Sequence, residues 1–293
     1  MDSKDFQILV ALHANARQSY RSLGGIVSLT APAVRERINR LKNGGILQGY
    51  GLWIDPSAFN RDEVLVFFNR ERKRQDVVRV LEAPNVAWVG WKLEGGLTVG
   101  VWTHDKSKSI DELSTFLDEK PFGYASTERR DFRRMSILDW KIIDALIDDP
   151  TMPFKEIPAL TGLSPKTVRK HLEALLRSEV IAVSPLLGAV EGSGELVCTL
   201  SIGGAVPMSE LRNVLREAAL IHQTQMPPMK MLLCRAGDLS DLTLKTIALR
   251  KLPRLESAQV SLNREVVFAN KFIHRMVGER IRELDRNPHP AFE

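Results

Sequence analysis

A chain that carries one pattern twice must fold as two copies of one unit, and this constraint precedes every other. Residues 2–47 lie on residues 136–181 at a constant offset of 134 with no gap. Asp5 falls on Asp139, Ile8 on Ile142, Ala11 on Ala145 and Leu12 on Leu146. Leu29 falls on Leu163, Val34 on Val168, Arg35 on Arg169 and Leu41 on Leu175, and Ile46-Leu47 meets Val180-Ile181. The apolar skeleton repeats, so the two copies share one kind of core.

Each copy predicts three helices. The first covers about Ser3–Ala14, with Ile8, Leu9 and Leu12 at helical spacing and Asp2 and Asp5 placed to cap it. Ser136 and Asp139 hold the same places in the second copy and resemble a capping box. The second helix covers about Tyr20–Val27, or Phe154–Leu160. The third follows a short turn, with Thr30 or Ser164 as its N-cap and Pro165 in a first turn that tolerates it.

The third helix carries the chemistry. Val34, Ile38 and Leu41 form its inward stripe, leaving Arg35, Arg37, Arg40 and Lys42 outside. In the second copy Val168, Leu172 and Leu175 face in, and Lys166, Arg169, Lys170 and His171 are displayed. Arg and Lys near the N-terminal half of such a helix can enter a major groove, where Arg pairs with guanine edges and phosphates. The competing reading is a solvated surface helix. Residues 1–55 hold seven Lys/Arg against four Asp/Glu, and residues 136–185 hold six against seven. The first copy therefore has the stronger claim on DNA, and Arg35 and Arg37 are expected to matter more to affinity than Arg169.

After the third helix, Gly44-Gly45 can end the helix and Ile46 to Ile54 reads as a strand, taken as the wing. These elements together resemble the Lrp/AsnC family of regulators. The resemblance rests on Asp5-x-x-Ile-Leu, on Leu29-Thr-x-x-x-Val34-x-x-Arg37-Ile-x-x-Leu41, and on Gly45-Ile-Leu-x-Gly-Tyr50 with Asp55-Pro. It implies a sequence-specific, double-stranded DNA-binding regulator that forms a homodimer or higher homo-oligomer and can respond to a small effector. The second copy keeps Leu163-Ser-Pro-x-x-Val168 but has His171 where the family favours Arg, and it lacks the Gly-Tyr.

Each trihelical unit is followed by a β-α-β-β-α-β order, the ferredoxin-like split unit. The first reads as strands at about Asp62–Arg70, Val86–Leu93, Leu97–His104 and Tyr124–Phe132, with helices at Arg74–Glu82 and Ser109–Glu119 and a tight turn at Gly95-Gly96. The second reads as strands at Glu195–Ile202, Leu220–Gln225, Lys230–Arg235 and Ala258–Phe268, with helices at Pro207–Ala219 and Leu239–Lys251. An amphipathic helix over Asn270–Asp285 closes the chain. The class is α+β: winged helix-turn-helix domains at 1–55 and 135–185 alternate with ferredoxin-like domains at 56–134 and 186–269, and 270–293 forms a terminal helix and tail. The resembled domain dimerises through its sheets, so two such domains in one chain can pair with each other. The family's Gly-Asp-x-Asp turn is missing: Gly95-Gly-Leu-Thr98 stands in the first unit, and Gly237-Asp-Leu-Ser-Asp241 falls at a strand-to-helix junction.

Composition excludes some alternatives. No apolar run approaches the roughly 18 residues of a membrane span, so no membrane partner is expected. Only Cys198 and Cys234 occur, which argues against a disulfide framework or Cys-rich zinc site and for a cytoplasmic, nucleoid-associated protein. The thiols fall on neighbouring strands and read either as small buried residues or as a redox or metal pair with His222. Arg70, Arg72, Lys73 and Arg74, and Arg129, Arg130, Arg133 and Arg134, read as phosphate contacts or as solvated sheet edges. Trp53, Trp88, Trp91 and Trp102 read as packing residues.

Two other functions stay open. A group of siroheme decarboxylases pairs the same domains, with an Arg-x-Gly turn that here is Gln48-Gly-Tyr and Ala182-Val-Ser. His104 and His222 form no acid–base constellation, so no enzyme activity, catalytic residue, metal site or cofactor is expected. An architectural or scaffold role for one or both winged helices is the other.

Overall fold

The computed structural model describes residues 1–132, 134–188 and 196–286. Arg133, Glu195 and the tail beyond residue 286 lie outside the described residues. The first module contains α1 (Ser3–Ala14), α2 (Tyr20–Val27), α3 (Ala31–Asn43) and β1 (Leu47–Ile54). Asp2 and Asp5 cap α1 reciprocally, Asp5 N–H to Asp2 Oδ1 at 2.9 Å and Asp2 N–H to Asp5 Oδ2 at 3.0 Å. A 3₁₀ turn at Pro56–Phe59 then leads into β2 (Asp62–Phe68), α4 (Arg74–Val80), β3 (Val86–Lys92), β4 (Leu97–Thr103), α5 (Lys106–Leu117) and β5 (Gly123–Ser126).

The second copy repeats the order. It has α6 (Ile137–Leu146), α7 (Ile157–Thr161), α8 (Pro165–Arg177) and β6 (Ile181–Leu187). It continues with β7 (Leu196–Gly203), α9 (Met208–Leu215), β8 (Ala218–Gln225), β9 (Pro228–Ala236), α10 (Leu239–Leu249), β10 (Ser257–Ser261), β11 (Asn263–Phe268) and α11 (Asn270–Arg286). Ser136 and Asp139 form the expected capping box of α6. The helix expected at Phe154–Leu160 begins only at Ile157, because a turn from Pro153 to Glu156 precedes it. The helix expected over Pro207–Ala219 ends at Leu215, because Arg216 takes φ 54° and turns the chain into β8.

The strand expected as a wing does something else. Among the described residues β1 pairs with no strand of its own module; it forms an antiparallel ladder with β6 of the other copy. The register pairs Tyr50 with Pro185 and Gly51 with Ser184. The repeat offset maps Tyr50 onto Ser184 and Gly51 onto Pro185, so each residue faces the equivalent of its neighbour. A pseudo-twofold axis therefore passes through the middle of this ladder. Gly51 is required there, since a Cβ would stand 2.4 Å from the Phe268 ring. Arg17 repeats the theme between the helical parts, donating to the carbonyls of Pro150 and Met152.

The two ferredoxin-like sheets have the orders β5-β2-β4 with β3, and β10-β7-β9 with β8, as the split unit demands. The stretch expected as one strand at Ala258–Phe268 is two. It breaks at Leu262: β10 stays in the second sheet, and β11 crosses to become an edge strand of the first, beside β3. Alternation alone predicts a pleat but not which sheet receives it. The counterpart crossing after β5 stops at a single bridge, Ser126 to Met226. The strand expected to reach Phe132 ends at Ser126, and beyond it side chains engage the backbone: Glu128 N–H donates to Gln225 Oε1 and Arg130 N–H to Ser57 Oγ.

Four apolar clusters result. The first module keeps its own, around Ile8, Leu12, Leu23, Val34 and Ile38. The helix-covered faces of the two sheets hold one each. The largest joins the second module, the β1–β6 ladder, the inner face of the first sheet and α11. Its centre is a chain of rings: Phe59 lies 5.4 Å from Trp102 and 4.8 Å from Trp140, and Trp102 lies 5.8 Å from Phe272.

At the rim of that cluster α11 is tied to α6 by His274, whose Nδ1 is 2.8 Å from Asp144 and whose Nε2 is 3.1 Å from Asp148. Partial burial pulls the His274 pKa down, but the two carboxylates outweigh it and the net shift is upward. A raised histidine pKa contributes stability that is complete below about pH 6.5 and fades as pH rises through the folded value. His274→Ala is expected to lower stability by about 1 kcal/mol near pH 6, with the difference shrinking above neutrality. Urea unfolding of both proteins at several pH values measures this; a pH-independent difference contradicts it.

Candidate nucleic-acid interface

The recognition helix of the first module is placed by packing. Val34, Ile38 and Leu41 are buried, and Thr30 caps the helix by accepting the Ala33 N–H at 3.4 Å. What remains outside is Pro32, Arg35, Glu36, Asn39, Arg40 and Lys42. Arg35 and Asn39 stand one helical turn apart and therefore share a face. Tyr20 and Arg21 are exposed at the N-terminus of α2, where backbone N–H groups favour anions.

Arg37 is not displayed as the sequence reading expected. It points back to α1, with Nη1 2.7 Å from Asp2 and 2.8 Å from Asp5, and Arg40 adds a contact to Asp5 at 3.1 Å. Asp5 is 1% exposed, so this carboxylate would be a bare buried charge without them. The Arg37 hydrogen bond holds the Asp2 carboxyl below its ordinary range. Arg40 is more than half exposed and keeps a solvent-facing side. Lys42 lies over the Tyr50 ring, 5.6 Å from its centre.

The second module reproduces the clasp with a different residue. His171 occupies the place of Arg37, and its Nδ1 is 2.7 Å from Asp139, which is fully buried. Ser164 caps α8 through the Thr167 N–H at 3.1 Å. Lys166, Arg169 and Lys170 are exposed, with the Arg169 guanidinium over the Phe154 ring at 5.2 Å. Glu173 stands where the first copy has Asn39, so an acid sits in the middle of this outer face. Asn39 escaped the sequence reading because attention went to cations. Counting one turn on from Arg35 finds it, and Asn can pair two-pronged with adenine.

The other basic runs have structural partners. Arg72 is clamped to Glu119 at 2.5 Å, Arg74 to Glu265 at 3.0 Å, Arg129 to Asp62 at 2.6 Å and Arg130 to Glu179 at 2.9 Å. Cys198 and Cys234 are register partners on β7 and β9, and both are buried. Burial pushes the Cys198 thiol up to about 11, and the Cys234 thiol upward too. His222 instead faces Glu63 at 3.5 Å, and among the described residues no group of three or more His, Cys, Asp or Glu could hold a metal. No helix there is long and apolar enough to cross a membrane.

Fold and surface together define a class: tandem winged helix-turn-helix proteins with ferredoxin-like companion domains. Residues 1–42 match the AsnC-type helix-turn-helix domain, and residues 135–182 match a winged helix-turn-helix DNA-binding model. The N-terminal module thus belongs to the Lrp/AsnC family. The chain is 30% identical over 87 residues to the HTH-type transcriptional regulator LrpB of Bacillus subtilis, a match covering 29% of this chain and 58% of that protein. It is 32% identical over 91 residues to the HTH-type transcriptional regulator Rv2324 of Mycobacterium tuberculosis, covering 30% and 57%. The chain therefore spans somewhat over half the length of these relatives. Among solved structures, the siroheme decarboxylase NirDL aligns over 96% of this chain and 99% of its own, with TM-score 0.47 and 13% identity. The leucine response regulatory protein LrpA of Mycobacterium tuberculosis aligns over 46% and 98%, with TM-score 0.31 and 18% identity.

The geometry separates two arginines that sequence treats alike. Arg37→Ala is expected to lower stability by about 1–3 kcal/mol, since Asp5 loses a buried partner. Arg35→Ala is expected to stay within about 0.5 kcal/mol of the parent. Denaturant midpoints check both; equal midpoints contradict the assignment.

Proposed function

We propose that this protein is a DNA-binding transcription regulator in which one chain supplies both helix-turn-helix modules of a pseudo-symmetric reader. The observation that carries the reading is the exposed N-terminal half of α3, with Arg35 and Asn39 on one face of an AsnC-type module. The names of the matched relatives, HTH-type transcriptional regulators, support the same function. Arg35 reads base edges in the major groove, Asn39 stands beside it, and Arg21 and Arg40 meet phosphates. Thr30, Lys42 and the N-terminus of α3 fix its register on the backbone. Lys166, Arg169, Lys170 and Ser164 present the second, weaker surface. Arg37 and His171 serve each module as internal clasps rather than as readers.

The pairing that the family resemblance assigns to two chains is made here between the halves of one, through β1 and β6. A single chain is then the unit that meets a bipartite site. Its half-sites differ, because Asn39 on one helix corresponds to Glu173 on the other.

Fluorescence anisotropy with a duplex selected from random sequence tests this reading. Arg35→Ala is expected to weaken binding by about tenfold or more, the scale of one base-pairing arginine, and Arg169→Ala by less. Preference for the selected duplex over a scrambled one should survive added salt, which weakens the phosphate contacts of both. Equal losses for the two variants, or a preference that vanishes with salt, would contradict it.

A further inference from the structure

We propose that the inner face of the first sheet holds a binding site for a small organic carboxylate, anchored by the Lys92 ammonium and the Thr98 hydroxyl. The site is independent of the DNA reading and lies about two strands from its edge, away from both recognition helices.

Register fixes which way these groups face. On β3, Trp91 packs into the cluster under α4 and α5, so Lys92 takes the opposite face, toward the second sheet. Its register partner on β11, Asn263, donates to Thr199 Oγ1 of the second sheet at 3.3 Å. Gly90 pairs with Thr98 across β3 and β4, and the Lys92 N–H donates to Gly96 O. Lys92 and Thr98 are thus diagonal neighbours on one face. The Lys92 stem runs over Gly96, whose added Cβ would stand 3.8 Å from Lys92 Cδ.

Both groups are buried and unspent. Lys92 is 5% exposed and Thr98 is 5% exposed. Among the described residues, neither side chain has a hydrogen bond or ion pair, and the nearest feature to the ammonium is the face of Phe122, 5.7 Å away. Burial draws the Lys92 pKa down, with Glu94 opposing it weakly. An ammonium taken out of water without a counter-ion destabilises a fold, so its retention asks for an anion that the chain does not itself supply.

There is also room. A Cβ added to Gly90 would meet nothing closer than 3.6 Å, and its three nearest atoms all belong to the first sheet, on Trp88 and Thr98. The second sheet leaves the space above Gly90 open. Trp88 and Phe67, neighbours on this face, give an apolar wall for the ligand's carbon body. The Glu63 carboxylate on the same face is already held by Trp88 Nε1 at 3.0 Å and faced by His222. One ammonium and one hydroxyl match the single charge of a carboxylate. Phe122, half exposed, separates the ammonium from solvent by one side chain.

Thermal unfolding of the full chain in sodium acetate, against sodium chloride at equal ionic strength, tests the site. Acetate is expected to raise the wild-type midpoint by several degrees and saturably, as a ligand of the native state does. Lys92→Met is expected to start at a higher midpoint, having no buried charge, and to respond to the two salts alike. Thr98→Val should need several-fold more acetate. Lysine NMR of reductively ¹³C-methylated protein gives a second readout that needs no stable Lys92→Met. The resonance missing from Lys92→Arg should shift saturably with acetate while other lysine signals stay still. Identical responses to acetate and chloride in the wild type, an acetate response kept by Lys92→Met, or a response to inorganic phosphate alone would overturn the proposal.

Discussion

The antiparallel ladder between β1 and β6 is the contact on which the rest of the molecule depends. Each strand follows its recognition helix, so pairing them fixes the two helical modules relative to each other. The register centres the pseudo-twofold between Tyr50-Gly51 and Ser184-Pro185. Its inner side is then closed by aromatic rings, Trp53 against Trp88 at 5.2 Å and against Phe268 at 4.9 Å. Phe268 ends β11, the strand that crosses from the second half into the first sheet, so ladder and crossing lock each other. Without Gly51 the two could not approach so closely.

The duplication is symmetric in backbone and asymmetric in substance. One half sends β11 fully into the neighbouring sheet, while the other makes a single bridge in return. The second module shares its core with the first sheet and α11, whereas the first module holds a separate core of its own. The asymmetry extends to the readers: Asp5 is clasped by an arginine and Asp139 by a histidine at the same position. A chain that no longer needs two identical halves is free to let them diverge, and the outer face of α8 has taken up Glu173.

Much of this was legible in sequence because it follows from periodicity. The first and third helices, their caps, the buried stripes and the split-unit order depend on local spacing and emerged where expected. Three features did not, each for a physical reason. The partner of β1 is set by an apolar pattern that fits a hairpin wing or a distant strand equally well. The break at Leu262 leaves alternation intact, so the change of sheet has no local mark. The inward turn of Arg37 depends on a buried carboxylate 32 residues earlier, and nothing in the recognition helix announces it. The ten sequence-nominated interface residues fall into two groups. Arg37 and His171 hold their modules together, and the rest stand on outer faces or cap the helices.

The central claim is that one chain acts as the two-headed unit that regulators of this kind otherwise assemble from two. Native mass spectrometry of the chain mixed with a duplex chosen from its bound sequences measures this most directly. A complex of one chain per duplex, with hydroxyl-radical protection over two adjacent major-groove segments, is the expected result. Two chains per duplex, each protecting one segment through its first module alone, would contradict the account.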